Sequence, residues 1–146
     1  MYAQVLSKCK AVTRKPLVLT EVQTPIATPG DVLIRVHACG ICRTDLHVVE
    51  GELDPARYQL PIIPGHQIVG TLESVPETSS LKPGQRVGVA WLNSTCGDCH
   101  FCRSGRENLC EHPEFTGWTR NGGFAEFVTA PADFVYPLPE QLGDIE

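Results

Sequence analysis

Four of the seven cysteines in this chain fall within one short segment, CGDCHFCRSGRENLC, which begins at Cys96 and ends at Cys110. The cysteines are separated by two, two and seven residues. Two intervening residues allow a turn tight enough to place two sulfurs on one ion, and four thiolates at ~2.3 Å complete a tetrahedral zinc site. Such a site keeps no open position for a substrate. We therefore expect a structural zinc, rather than a catalytic one, held by Cys96, Cys99, Cys102 and Cys110.

Two other interpretations of this cluster stay open. The first three cysteines also have the spacing that begins a ferredoxin-type iron–sulfur motif. In that motif the fourth cysteine follows after three residues and precedes proline, whereas here seven residues intervene and Glu111 follows. Disulfide-paired or unliganded cysteines are the second alternative. The N-terminal residues MYAQVLSKCK lack the apolar segment of a secretory signal, so we expect a cytoplasmic protein with reduced thiols, which favours zinc.

Composition argues against two classes of partner. The chain has 146 residues, 42% of them apolar and 20% charged, which suffices for one domain with its own core. The net charge is −5 and Lys and Arg are not clustered, which argues against binding a nucleic-acid backbone. No apolar run approaches the ~20 residues of a membrane-spanning helix. We therefore expect neither nucleic acid nor membrane as a partner.

The apolar pattern predicts mainly short strands. Twelve prolines and thirteen glycines interrupt the chain, which favours strands joined by turns over long helices. Strand candidates lie in YAQVLSK, PLVLTEV, VLIRVHACG, LPIIPGHQIVGTLESV, LKPGQRVGV, GGFAEFVTA and DFVYPLP. A short helix closed by Gly51 is predicted over CRTDLHVVEG, and a second helix is predicted to begin in PEQLGDIE. We therefore expect a mainly β domain with short helices, either a barrel or a folded sheet.

A catalytic metal would need ligands outside the cysteine cluster, because such a site keeps an open position. Cys42 in GICRTDLH and His66 in PGHQIVG are the candidates, and glycines near His66 would let the backbone approach closely. Taken alone, each signal is weak. A lone cysteine near a helix start is more often a small core residue, and a lone histidine after glycine is more often a turn residue.

Together, four motifs resemble a known family. GICRTDLH, PGHQIVG, KPGQRVGV and the cysteine segment have the order and spacing of the zinc-dependent alcohol dehydrogenases of the medium-chain dehydrogenase superfamily. The resemblance covers essentially the whole chain and corresponds to the N-terminal part of such an enzyme. It implies a GroES-like β-barrel domain over residues 1–146 with a zinc-binding lobe at about 91–113. WLNSTC is most similar to yeast and bacterial members that act on small alcohols.

The resemblance implies a catalytic zinc held by Cys42 and His66. It also implies that Thr44 hydrogen-bonds the substrate hydroxyl on that zinc. His47 would form the outer end of a proton relay that runs from Thr44 through the cofactor ribose. Without the resemblance, Thr44 would be interpreted as a helix cap and His47 as a solvated helix residue.

Four further residues take expected roles from the same resemblance. Arg43 would contact the cofactor pyrophosphate, Trp91 would line the substrate pocket, and Asp45 would orient His66. Taken alone, they would be a solvated cation, a core residue and a first-turn carboxylate. Gln67 departs from the family, which usually has Glu directly after the zinc-binding histidine. Gln67 keeps the polarity of that position beside the metal ligand and loses its charge.

The resemblance implies a homo-oligomeric enzyme that interconverts small alcohols and aldehydes or ketones with NAD or NADP. The glycine-rich G-x-G-x-x-G turn of a dinucleotide-binding domain is absent from these 146 residues, and the family's third catalytic-zinc ligand would follow residue 146. We therefore expect one part of a longer enzyme, inactive by itself. Two alternatives remain: a zinc-stabilised interaction module without catalysis and, within the family, a polyol or cinnamyl-type dehydrogenase.

Overall fold

The structure, a computed structural model, describes residues 1–145 and confirms the mainly β prediction. The strands are β1 Tyr2–Leu6, β2 Leu17–Glu21, β3 Asp31–Gly40, β4 Gln67–Ser74, β5 Arg86–Val89, β6 Leu92–Ser94, β7 Glu114–Phe115, β8 Phe127–Pro131 and β9 Val135–Pro137. The α-helices are α1 Arg43–Glu50 and α2 His100–Arg103, and single 3₁₀ turns lie at Val12–Arg14, Pro55–Arg57, Glu107–Leu109 and Ala132–Phe134. In this part of the chain, no helix is long and apolar enough to cross a membrane.

Five antiparallel strands form the central sheet in the order β8-β3-β4-β5-β9, and this sheet curls into half a barrel. The strands alternate buried and partly exposed side chains, as in β5 and β8, so the inner face of the sheet is apolar. Nine buried side chains form the core on this face: Val32, Ile34, Ile68, Leu72, Val87, Val89, Val128, Ala130 and Val135.

A second core lies where α1 meets the two small sheets, β1-β2 and β6-β7. It contains five buried side chains: Leu6, Val48, Val49, Ile62 and Trp118. The apolar side of α1, Val48 and Val49, packs into this core, so the opposite side of the helix faces outward. The second core therefore fixes α1 against the two small sheets.

The predicted helix over CRTDLHVVEG is confirmed, including its closure by Gly51. Gly51 has a φ of 79° and donates its N–H to the carbonyls of His47 and Val48, which ends the helix in a left-handed conformation that glycine favours. The N-cap is Cys42 rather than Thr44, so the interpretation of Thr44 as a cap is wrong.

The helix predicted to begin in PEQLGDIE is absent from residues 138–145. Arg86 donates to the carbonyls of Leu142 and Gly143, and its Nε lies 3.2 Å from the carboxylate of Asp144. The same carboxylate lies 3.1 Å from Nδ1 of His37. These contacts hold the segment as a turn against the sheet, so tertiary hydrogen bonds outweigh its local helix signal.

Candidate metal centre and substrate cleft

The pairing of β3 with β4 brings Cys42 and His66 together. The last pair of that ladder joins Gly40 to Gln67. Cys42 follows Gly40 by two residues and His66 directly precedes Gln67, so both side chains lie at the same end of the sheet. The sulfur of Cys42 is 3.3 Å from Nε2 of His66.

The carboxylate of Asp45 accepts hydrogen bonds from both of these residues. One carboxylate oxygen accepts a hydrogen bond from Nδ1 of His66 at 3.1 Å, and the other accepts from the backbone N–H of Cys42 at 2.8 Å. Asp45 is 3% exposed, so it is no ordinary surface carboxylate at a helix start. Burial raises the pKa of Asp45, but the hydrogen bonds from His66 and Cys42 and the charge of His66 outweigh it and lower the pKa. The carboxylate therefore orients the imidazole with Nε2 directed at the Cys42 sulfur.

The Cys42 thiol lies in surroundings that favour its thiolate. Burial raises its pKa, but hydrogen bonds from Thr44 and the nearby His66 lower it below the ordinary value. A tetrahedral zinc with ordinary Zn–S and Zn–N bonds places the two ligand atoms about 3.6 Å apart. The observed 3.3 Å fits that requirement. Since both oxygens of Asp45 are already engaged, Cys42 and His66 are the two side chains of this group that could hold a metal ion.

The four clustered cysteines form a second group. Their sulfurs all lie within 4.8 Å of one another, and three measured separations are 3.5, 3.6 and 4.0 Å. The edge of a zinc–thiolate tetrahedron is about 3.8 Å. Backbone N–H groups of Cys102 and Glu111 lower the pKa of Cys99 to about 6, whereas Asp98 raises that of Cys96 to about 12. Four thiolates this close repel one another, so a bound cation is what would let all four ionise together.

A cleft of about 830 Å³ opens beside the Cys42–His66 pair. Cys42, Thr44, His66, Gln67 and Trp91 all line it, which brings five of the sequence-predicted site residues to one cavity. The other walls are mostly apolar strand residues and the C-terminal segment, among them Val89, Tyr136, Leu138 and Ile145.

Like Asp45, the predicted site residues Arg43 and His47 lie on α1, outside the lining of this cleft. Arg43 occupies the first helical position and is exposed. His47 lies three residues after Thr44, which places both on one side of the helix, and its side chain is 33% exposed. The structure therefore brings Thr44 to the cleft beside Cys42 and His66, and it leaves His47 one helical turn further along α1.

Trp91 belongs to the cleft wall and to the second core at once. Its ring lies edge-on to His66 with centroids 4.9 Å apart, and it stacks on Phe115 at 4.9 Å and on Trp118 at 5.9 Å. Arg57 lies over the rings of Phe115 and Trp118 at 5.0 and 5.1 Å. These stacked rings leave Trp91 little freedom to move, so the cleft has a rigid aromatic wall next to His66.

One part of the site could not be found from the sequence. Residues 121–124 hold the segment that carries His66: Gly122 donates to Ile63, Gly123 donates to Gly65, and the Asn121 side chain accepts from the N–H of Ile63. A Cβ on Gly122 would lie 2.0 Å from the carbonyl oxygen of Gly65. The adjacent glycines Gly122 and Gly123 were the only sequence signal for this contact, and they do not indicate which segment they bind.

Similarity to known proteins identifies the family of this chain. Residues 28–140 match the family described as "Alcohol dehydrogenase GroES-like domain". The chain belongs to this family. An alcohol dehydrogenase of Geobacillus stearothermophilus is 47% identical over 130 residues, covering 88% of this chain and 38% of the relative. A "probable alcohol dehydrogenase AdhA" of Mycobacterium tuberculosis is 45% identical over 137 residues, covering 90% and 39%. The GroES-like domain therefore spans well under half the length of these relatives.

Solved structures agree with the family and its fold. The crystal structure of AibC has a TM-score of 0.88 at 36% identity and covers 99% of this chain and 39% of its own. An NAD-dependent alcohol dehydrogenase has a TM-score of 0.88 at 27% identity, covering 99% and 41%. A cobalt- and zinc-bound thermostable alcohol dehydrogenase of Pyrobaculum aerophilum has a TM-score of 0.83 at 31% identity, covering 94% and 40%. The predicted GroES-like fold is thereby confirmed.

Proposed function

We propose that this chain is the metal-binding catalytic part, residues 1–146 with a zinc lobe at about 91–113, of a zinc-dependent alcohol dehydrogenase that acts on small alcohols. The observation that carries the proposal is the position of the Cys42–His66 pair, oriented by Asp45 and lining one end of a large cleft. Two ligands from the chain leave other positions open, as a catalytic zinc requires. When bound there, zinc supplies Lewis-acid stabilisation of an alcohol oxygen.

The chain's own residues would then move the proton. The hydroxyl of Thr44 lies at the same end of the cleft as Cys42 and would accept the proton of the bound alcohol. His47, one turn further along α1 and partly exposed, would pass that proton to solvent, with the cofactor ribose between the two.

The walls of the cleft suit a small, largely apolar substrate. Trp91 is held by its stacking contacts and narrows the space beside His66. A rigid apolar wall excludes water from the reacting atoms and limits substrate size. NAD or NADP would be the hydride acceptor, with Arg43 on the exposed first turn of α1 available for its pyrophosphate. Support comes from similar proteins that are NAD-dependent or bind zinc and cobalt.

A non-catalytic interaction module is the less favoured alternative. The cysteine cluster alone would be enough to stabilise such a module. It would not require a second ligand pair with its own buried carboxylate, since Asp45 hydrogen-bonds Nδ1 of His66 in addition to capping α1 through the N–H of Cys42. The second pair is therefore the feature that favours catalysis.

The test is an activity assay with matched cysteine variants in the protein that carries this chain. We expect NADH or NADPH formation from a small alcohol, and loss of that activity in Cys42→Ala. Cys9→Ala is the control, since Cys9 is a half-buried thiol outside both metal-binding groups. It should retain activity. Wild-type turnover by Cys42→Ala, or no alcohol oxidation by the parent protein, would overturn the proposal.

A further inference from the structure

The side chain of Glu52 contacts the ring of His47, and the relay described above makes no use of that contact. Nδ1 of His47 donates to the Glu52 carboxylate. The two side chains are 33% and 48% exposed, so their contact adds little to stability in water. The contact can instead fix the orientation of the His47 ring and determine which ring nitrogen carries the proton.

The backbone at the end of α1 places Glu52 at this position. The N–H of Glu52 donates to the carbonyl of His47 at 2.9 Å, and the N–H of Gly51 donates to the same carbonyl at 3.1 Å. This is the Schellman ending of a helix, in which the second residue past the helix folds back over its last turn. Glu52 is thus fixed to His47 through both its backbone and its carboxylate.

Tyr58 holds His47 from the buried side. Its hydroxyl donates to the carbonyls of His47 and Val48 at 3.1 and 3.0 Å, and its ring packs edge-on against Trp118 with centroids 6.0 Å apart. The backbone of His47 is therefore anchored to the second core while its ring stays partly exposed. Only Glu52, among the described residues, has a hydrogen bond to that ring.

We propose that Glu52 is a positioning residue for His47. By accepting the Nδ1 hydrogen, the carboxylate keeps the neutral imidazole in the tautomer whose Nε2 has a free lone pair. Nε2 can then accept a proton arriving from the relay, which gives an imidazolium that the adjacent carboxylate stabilises until water removes the proton. The catalytic role of this contact rests on the proposed function, whereas the tautomer of His47 can be tested in this chain without any activity.

The tautomer can be measured by ¹⁵N NMR of the zinc-loaded 146-residue chain. At alkaline pH, the chemical shifts of the two ring nitrogens show which one carries hydrogen. His47→Gln assigns the signals among the five histidines. We expect hydrogen on Nδ1 in the parent chain and in Glu52→Gln, which keeps an acceptor, and on Nε2 in Glu52→Ala. Hydrogen on Nε2 in the parent chain, or an unchanged tautomer in Glu52→Ala, would overturn the proposal.

Kinetics of the protein that carries this chain give the second readout. Glu52→Ala should lower kcat by no more than His47→Gln does, and combining the two changes should cost nothing beyond His47→Gln, because Glu52 acts through His47. Additive losses would overturn the positioning role. A parent protein without dehydrogenase activity would refute the proposed function instead, and the NMR result would still decide whether Glu52 sets the tautomer.

Discussion

The sulfur of Cys42 that lies 3.3 Å from Nε2 of His66 is also the cap of α1, since it accepts the backbone N–H of Thr44 at 3.3 Å. The proposed metal ligation and the initiation of α1 would thus share one atom. The start of α1 fixes where the sulfur lies, and the β3–β4 register fixes His66 opposite it. A thiolate suits both functions, because it accepts hydrogen bonds more strongly than a thiol and binds zinc.

The first prediction concerns metal content. All four ligands of the cysteine cluster lie in the chain, and structural zinc sites of this kind bind with about 10–16 kcal/mol in peptides. Cys42 and His66 supply only two ligands. We therefore expect about one tightly held zinc per chain, lodged in the cysteine lobe. Cys99→Ser should release it and unfold the lobe, whereas Cys42→Ser should leave the zinc content nearly unchanged.

Elemental analysis of the two purified variants, with the lobe monitored by proteolysis, is the measurement. If Cys42→Ser lost the metal and Cys99→Ser kept it, the structural and catalytic assignments would be reversed. An iron–sulfur cluster would show itself by colour and by iron in the same analysis.

The second prediction concerns Asp45 and stability. Asp45→Ala leaves Nδ1 of His66 and the N–H of Cys42 without their acceptor in a buried place, and removing one member of such a group costs about 3–5 kcal/mol. Asp54→Ala is the matched control, since Asp54 caps an exposed 3₁₀ turn by accepting from Ala56. An exposed cap is worth about 0.5–2 kcal/mol.

Urea unfolding followed by tryptophan fluorescence compares the two variants, since Trp91 lies edge-on against His66. The loss of unfolding free energy should be clearly larger for Asp45→Ala. Equal losses would mean that the Asp45 carboxylate does no more than cap α1.

Local patterns in the sequence were enough to predict most of the strands. Alternation and turn residues identify β3, β4 and β5, and the sequence CRTDLHVVEG shows both the helix and its glycine ending. The spacing of the four cysteines predicts a group whose sulfurs do lie within 4.8 Å of one another. These features depend on neighbours within a few residues along the chain.

Features that depend on distant contacts could not be predicted in the same way. The approach of Cys42 to His66 requires the β3–β4 register, and family resemblance alone suggested it. The C-terminal helix signal fails because Arg86 and His37 bind the segment from other strands. The hydrogen bond from His47 to Glu52 depends on the turn at Gly51. The pattern of apolar residues that predicts strands and helices does not predict such a side-chain contact.

The third prediction concerns the proton relay in the protein that carries this chain. Thr44→Ala should lower kcat within the range of about 10²–10⁴-fold that a general acid–base group contributes. His47→Gln should cost less, because water can replace an outer group that is partly exposed. Steady-state rates at saturating alcohol and cofactor measure both. Wild-type kcat in Thr44→Ala would show that the relay assignment is wrong.

The last prediction concerns the glycine before His66. Gly65 has a φ of 97°, and a Cβ there would lie 2.6 Å from the Phe124 ring and 2.9 Å from the Cys39 sulfur. Gly84 is the matched control: its φ is 81°, but apart from its two chain neighbours no described residue has a heavy atom within 4 Å of a Cβ built there. Both changes to alanine carry the backbone cost of a left-handed conformation, about 1–2 kcal/mol. Gly65→Ala adds overpacking, typically about 1–3 kcal/mol more, and displaces His66 from the Cys42 sulfur.

Urea unfolding should therefore show a larger loss of unfolding free energy for Gly65→Ala than for Gly84→Ala. Equal losses would mean that the surroundings of Gly65 yield, and that the position of His66 does not depend on the absence of a side chain there.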